Sequence, residues 1–298
     1  MLLCTERSRA LAPAVADGAA EVLDVPDGSV PDLAADLLEA AGERPVVGLG
    51  GGRVVDTAKA VSAAHGSEVA AIPTTLAGST FTPFHRLPEG VRAQMHRPSL
   101  AICEPSAMVP DDAPLLAATA MNALAHAIES LYAPFANPVT EEAALRSARL
   151  FADALPRDPA PASELAEAAF LAGYAVGNAG LAVHHALCQT IVRTCGTPHA
   201  QTNAVMLPHS VRLMSMRAPG EIGLLTGALG DPSEDPEAAA GRVSKLAARS
   251  GHTRLATLGV EEGHLPAVVA GVLQHPGLAM TPDPPGEGEL LDLLRRAL

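Results

Sequence analysis

The feature that most limits what this chain can fold into is the run PVVGLGGGRVVDTAKA, residues 45–60. Val46 and Val47 open a strand that runs through Gly50, Gly51 and Gly52 straight into a helix-compatible stretch from about Val54 to Ala64. A strand feeding a helix through glycines suits a phosphate. Backbone N–H groups point outward there, the helix dipole is positive, and no side chain blocks close approach. The spacing is neither GxGxxG nor GxxxxGK[ST], and a tight strand-to-helix turn explains the glycines equally well. Asp56 and Lys59 follow three residues apart, near one helix face.

The surrounding pattern places this turn in a parallel sheet. Leu2–Thr5 is a short apolar start, 8–16 is helix-compatible, 20–25 is β-compatible, and Asp27, Gly28, Ser29 and Pro31 precede a helix at about 32–41. A third strand at 68–72 ends at Pro73, Thr74 and Thr75, followed by the small, hydroxyl-rich Ala77–Thr80. Hydroxyls at the carboxyl end of a parallel strand are placed to bond ribose, phosphate or carboxamide, although an ordinary ST-turn looks the same. Strands alternating with helices predict a parallel α/β nucleotide-binding domain over residues 1–110. Beyond it, Ala- and Leu-rich helices at 112–134, 139–154, 162–178, 180–193, 199–216, 236–250, 264–273 and 287–297 predict an all-α domain over 111–298.

Composition narrows the function. Acidic residues outnumber basic ones 33 to 20, and the net charge of −13 disfavours nucleic acid and anionic membrane surfaces as partners. Aromatics make up 2% with no Trp, so there are few platforms for stacking bases. Cys4, Cys103, Cys188 and Cys195 form no CxxC pair, which points away from disulfides and zinc knuckles and towards a reducing, cytoplasmic location. Glu6 and two arginines interrupt the apolar start, unlike a secretory signal.

The second half carries a histidine constellation. Asn122 and His126 are four apart on the helix LLAATAMNALAHAIESLYA, with Glu129 a further near-turn along. His184, His185, His199 and His209 follow, so five of the eleven histidines fall between residues 126 and 209. Imidazoles among Ala, Val and Leu need partners, and convergence on one site supplies them. Three histidines plus one more ligand would suit zinc or iron, but a neutral Asn122 is a weak fourth donor. The same rings also serve for proton donation and anion recognition without metal.

Four ordered segments, GGGRVVDTAKA (50–60), PTTLAGSTFTP (73–83), MNALAHAIESLYAPFANP (121–138) and VHHALCQTIVRTCGTPHAQTNAVMLPH (183–209), resemble the iron-containing alcohol dehydrogenase superfamily, and within it the maleylacetate reductases. The resemblance implies the dehydroquinate synthase-like fold: a nucleotide-binding N-terminal domain, a helical C-terminal domain, an active site between them and a homodimer. Gly50, Gly51 and Gly52 would hold the pyrophosphate of NAD(P)H, with Asp56, Lys59, Thr74, Thr75 and Ser79 near ribose and nicotinamide. In metal-dependent members an Asp and three histidines bind iron or zinc; the matching positions are Asn122, His126, His185 and His199. Maleylacetate reductases similarly carry Asn at the first of these and are regarded as metal-free. Catalysis is thus expected from Asn122, His126, His185 and His199, and substrate binding from Arg193, His184, Gln189 and Asn203.

Departures from the family pattern are specific. GGGS becomes GGGR with Arg53, Asp56 keeps the alcohol-dehydrogenase form, and the usual CH pair after His185 becomes Cys188 and Gln189. A glycine pair becomes Val192 and Arg193, a further histidine becomes Asn203, and the family's usual opening segment is not found before Leu2. The reading is an NAD(P)H-dependent reductase of a small carboxylated substrate, taking maleylacetate to 3-oxoadipate in aromatic degradation. The alternatives are a metal-dependent alcohol dehydrogenase or aldehyde reductase, and a catalytically altered binding or pathway-partner subunit.

Overall fold

A computed structural model describes all 298 residues. The chain divides into two compact units, Met1–Val109 and Pro110–Leu298.

The first unit is built on a five-stranded parallel sheet. In chain order it contains β1 (Leu2–Cys4), α1 (Glu6–Leu11), α2 (Pro13–Asp17), β2 (Val22–Asp24), α3 (Val30–Ala41), β3 (Val46–Gly50), α4 (Gly52–His65), β4 (Val69–Pro73), β5 (Leu100–Ala101) and α5 (Pro105–Met108). The strand order is β2-β1-β3-β4-β5, and every pairing is parallel. Alternation along β1 sends Leu3 into a core with Leu33, Val46, Val54 and Val61, while Leu2 and Cys4 meet Leu49, Val15 and Ala16 on the other side. The single helix expected at 8–16 is instead two, because Pro13 removes a helical donor and starts α2 at its own N-terminus. The expected strand 20–25 shortens to Val22–Asp24. Strand β5 was not anticipated: its two residues are exposed and carry no alternation to read.

The second unit is helical throughout: α6 (Ala113–Tyr132), α7 (Pro138–Ala154), α8 (Ala162–Ala179), α9 (Val183–Cys195), α10 (His199–Ser215), α11 (Pro219–Ala228), α12 (Pro236–Ala247), α13 (Leu265–Leu273), α14 (Pro276–Ala279) and α15 (Glu287–Ala297). Helix α6 is its centre, buried along nearly its whole length and packed on α7, α8 and α10. Its many alanines let neighbouring backbones come close. Asp112 caps α6 and Asn137 caps α7 through side-chain bonds to first-turn N–H groups. Helix α9 begins three residues later than expected, after Gly180 at φ 105°, a conformation that suits glycine. Helix α11 was not anticipated, because glycines 220, 223 and 227 dilute its signal. Gly223 is required there: a Cβ would lie 2.7 Å from the Glu234 carbonyl oxygen. No single helix is long and apolar enough to cross a membrane.

Candidate functional site

In the first unit the glycine turn and the hydroxyl loop form one surface. Gly51 is the N-cap of α4 and no side chain caps that helix, so its first N–H groups are not bonded by a capping side chain. A Cβ on Gly51 would come within 3.2 Å of Thr75, and one on Gly52 within 3.1 Å of the Ser79 hydroxyl. Thr74 N–H donates to the Gly50 carbonyl at 3.0 Å, tying the ends of β3 and β4 together. Gly50, Gly51, Gly52, Thr74, Thr75 and Ser79 thus come together at the carboxyl edge of the sheet. Arg53 is turned to Asp27, with 2.7 Å between guanidinium and carboxylate.

Asp56 and Lys59 take a different part from the one expected. The Lys59 ammonium is fully buried and donates to the carbonyl oxygens of Ser79, Thr82 and Phe84 at 2.8, 3.1 and 2.7 Å. The Asp56 carboxylate lies 2.7 Å from it and accepts from the Ser79 hydroxyl at 3.1 Å. All the ammonium's donors therefore go to its own chain, and Lys59 clamps residues 79–84 to α4 rather than reaching a ribose. Burial lowers the Lys59 pKa against the pull of Asp56, and raises that of Asp56 against the pull of Lys59.

In the second unit α6, α9 and α10 bring His126, His184, His185 and His199 together around Glu129, whereas His209, expected to join them, lies on the opposite face of α10. This carboxylate is fully buried and accepts from the His185 backbone N–H at 3.1 Å and from His185 Nδ1–H at 2.6 Å. Burial raises its pKa, while His184, His126 and the N–H groups of Ala182 and His185 oppose the rise. The His185 ring stacks on His126, with centroids 4.6 Å apart and 10° between planes. Burial lowers His185 to about 3 and takes His126 well below its ordinary value. Both rings are neutral at pH 7. Because Glu129 holds Nδ1–H, His185 keeps an unbonded lone pair on Nε2. That atom, His126 Nδ1 and Asn122 Oδ1 are buried polar atoms without partners. Atoms of this kind in one place mark where a ligand's polar groups belong.

His184 and Asn203 support the site from behind. His184 Nε2–H donates to Asn203 Oδ1 at 2.9 Å, the Ser210 hydroxyl lies 3.0 Å from His184 Nδ1, and Asn203 Nδ2 donates to the His199 carbonyl at 2.8 Å. Both side chains are fully buried. The substrate contacts expected of these two are therefore replaced by positioning: they fix the start of α10, where His199 is exposed. Gly196, left-handed at φ 69°, ends α9 and turns the chain so that His199 opens α10. Gln189 and Arg193 continue the His185 face of α9 at four-residue spacing. Arg193 is exposed and lies beside Gly271.

Two participants escape sequence reasoning. Glu129 reads as one more helix carboxylate, and only its spacing from His126 hinted at more. His275 lies far downstream at the N-cap of α14. It accepts Gly277 N–H on Nδ1 at 3.0 Å, which leaves Nε2–H to donate to Gln189 Oε1 at 3.3 Å.

Comparison with known proteins gives the family. Residues 14–111 match the family described as iron-containing alcohol dehydrogenase, and residues 116–298 match the C-terminal part of the Fe-containing alcohol dehydrogenase family. The chain is 35% identical over 254 residues to maleylacetate reductase 2 of Cupriavidus pinatubonensis, covering 78% of this chain and 70% of that protein. It is 35% identical to maleylacetate reductase 1 of Rhodococcus opacus, covering 82% and 70%. The crystal structure of maleylacetate reductase from Rhizobium sp. strain MTP-10005 superposes with a TM-score of 0.85 at 30% identity, over 100% of this chain and 88% of that one. An iron-containing alcohol dehydrogenase from Corynebacterium glutamicum gives 0.88 at 28% identity, over 100% and 87%. From its parallel sheet to its histidine-bearing helices, the chain belongs to the iron-containing alcohol dehydrogenase family of oxidoreductases.

Proposed function

We propose that this protein is a maleylacetate reductase-type enzyme: it uses a reduced nicotinamide dinucleotide to saturate the C=C of a small unsaturated oxo-dicarboxylate, and does so without a metal ion. The observation that carries the reading is the buried Glu129–His185 pair, with His185 Nε2, His126 Nδ1 and Asn122 Oδ1 left for a ligand. Likeness to maleylacetate reductases over most of the chain supports the substrate class.

The dinucleotide has a fitting cradle in Gly51, Gly52, Thr74, Thr75 and Ser79, where any Cβ on the two glycines would occupy the space beside the hydroxyls. When bound it supplies a hydride. A metal ion fits poorly. Asn122 stands where the anionic ligand would be, and the Glu129 carboxylate is engaged on His185 Nδ1. The His126 and His185 rings lie 10° from parallel with centroids 4.6 Å apart, so their in-plane lone pairs do not meet at one point as two tetrahedral ligands would.

The protein's own groups then handle charge and proton. Hydride arrives at the carbon β to the ketone, and negative charge collects on the enolate oxygen. At rest burial keeps the rings neutral; substrate carboxylates brought against them favour the protonated form. A proton taken up from water at His185 Nε2, with Nδ1 anchored by Glu129, stabilises the enolate and is then transferred to the enolate's α-carbon, which forms the second new C–H bond and leaves His185 neutral again. Arg193, exposed on the same face of α9, offers a fork for a substrate carboxylate. The test is maleylacetate-dependent oxidation of NADH and NADPH by protein dialysed against chelator, with metal content measured. Full turnover by metal-free enzyme is expected; activity that returns only with stoichiometric iron or zinc contradicts the metal-free reading.

A further inference from the structure

Acidic residues outnumber basic ones in this chain, yet one cavity of the second unit is lined without a single carboxylate. It measures about 320 Å³ and lies among α10, α12 and α15, and its ionisable lining residues are His209, Arg212, His252 and Arg296. Ser244 and Thr253 add hydroxyls. His209, Arg212 and Arg296 also stand on the wall of an adjoining cavity of about 330 Å³, whose other lining residues are Leu213, Met216 and Leu293. Neither Arg212 nor Arg296 is in an ion pair, whereas Arg217 and Arg295 nearby are matched to Glu289 and Glu262. Both guanidiniums act on one ring: burial, then Arg212 and Arg296, lower His209 to about 4.

This place is separate from the histidine site. Asn203 and Ser210 share the α10 face that meets His184. Val205, His209 and Arg212 lie roughly on the opposite face, given 3.6 residues per turn. Between them Pro208, inside the helix, leaves the Ala204 carbonyl without its helical donor where α10 borders the cavity.

We infer that His209, Arg212 and Arg296 form a second ligand site for a small organic anion, whose carboxylate or phosphate group sits between the two guanidiniums and whose apolar body lies on Leu213, Met216 and Leu293. Paired guanidiniums with no competing carboxylate match an oxyanion's geometry and charge. The apolar neighbour distinguishes an organic anion from an inorganic one, and the volume is at the lower end of what small-molecule sites occupy.

The test is calorimetric titration of the full-length protein with benzoate, phenyl phosphate and inorganic phosphate, the double variant below telling this cavity apart from the histidine site. Saturable binding of benzoate or phenyl phosphate is expected, with inorganic phosphate weaker. The double variant R212A/R296A should weaken it at least tenfold, while circular dichroism and turnover of maleylacetate stay unchanged, since both arginines are exposed. A preference for benzoate identifies the carboxylate class, and a preference for phenyl phosphate the phosphate class; both sustain the site. Absence of saturable binding, affinity unmoved by R212A/R296A, or inorganic phosphate binding as tightly as the aromatic anions overturns it.

Discussion

Glu129 sets the chemistry of its neighbourhood through one atom. By accepting from His185 Nδ1–H it dictates which ring nitrogen keeps a free lone pair, much as an orienting carboxylate does for other imidazoles. Glu129→Gln keeps the volume but removes the charge that supports a protonated ring. We expect kcat to fall about 10- to 100-fold, in line with losses of orienting partners, with an unchanged far-UV spectrum and a smaller change in KM. Equal losses in E129Q and in a remote surface variant would remove Glu129 from the mechanism. Lys59 belongs at the same scale. Lys59→Met strands three carbonyl oxygens and the Asp56 carboxylate, and should lower stability by on the order of 3 kcal/mol in a denaturant titration. A change below about 0.5 kcal/mol, the range of an ordinary surface substitution, would contradict the clamp.

At the scale of elements, β3 and α4 make the turn and β4 supplies the surface it rests on. Gly52→Ala introduces a Cβ 3.1 Å from the Ser79 hydroxyl and 3.3 Å from Ala77. Those neighbours can yield slightly, so the fold should survive, while affinity for the nicotinamide dinucleotide should drop about tenfold, or roughly 1.4 kcal/mol. Fluorescence titration with NADH and NADPH reads this directly, and undiminished affinity would place the pyrophosphate elsewhere. This element pair was legible because strand and helix periods meet at the three glycines. The histidine helices were legible for the same kind of reason, since Asn122 and His126 recur at a helical interval. What the sequence did not disclose depends on contacts made in three dimensions. Nothing local shows that Lys59 meets three carbonyl oxygens, that Asn203 ties His184 to α10, or that a histidine capping α14 reaches Gln189.

For the molecule as a whole, its buried histidines govern the response to acid. His184 and His185 are lowered to about 3 and His85 and His209 to about 4, chiefly by burial, from an ordinary value of 6.5. Below pH 6.5 the unfolded chain therefore binds more protons than the folded one. Their contribution to stability is complete above pH 6.5 and is lost progressively as pH falls towards 3. Asp56 and Glu129, raised by burial, act in the opposite sense over a window that runs upward from ordinary carboxylate values, but these two groups are outnumbered by the four histidines. The melting temperature should be flat from pH 8 to 7 and decline between about 6.5 and 5; a melting temperature that rises across that interval would contradict neutral histidines in the fold. The two-part architecture was readable from the change at about residue 110, where alternating strands give way to Ala-rich helices.

The central claim, reduction of an unsaturated oxo-dicarboxylate, is tested most directly by comparing kcat/KM for maleylacetate with that for simple aldehydes, using NADH and NADPH in turn. The account predicts a preference for maleylacetate of at least a hundredfold, about 2.7 kcal/mol in transition-state binding, from contacts that only a carboxylated substrate can make. Equal or better turnover of simple aldehydes would contradict it.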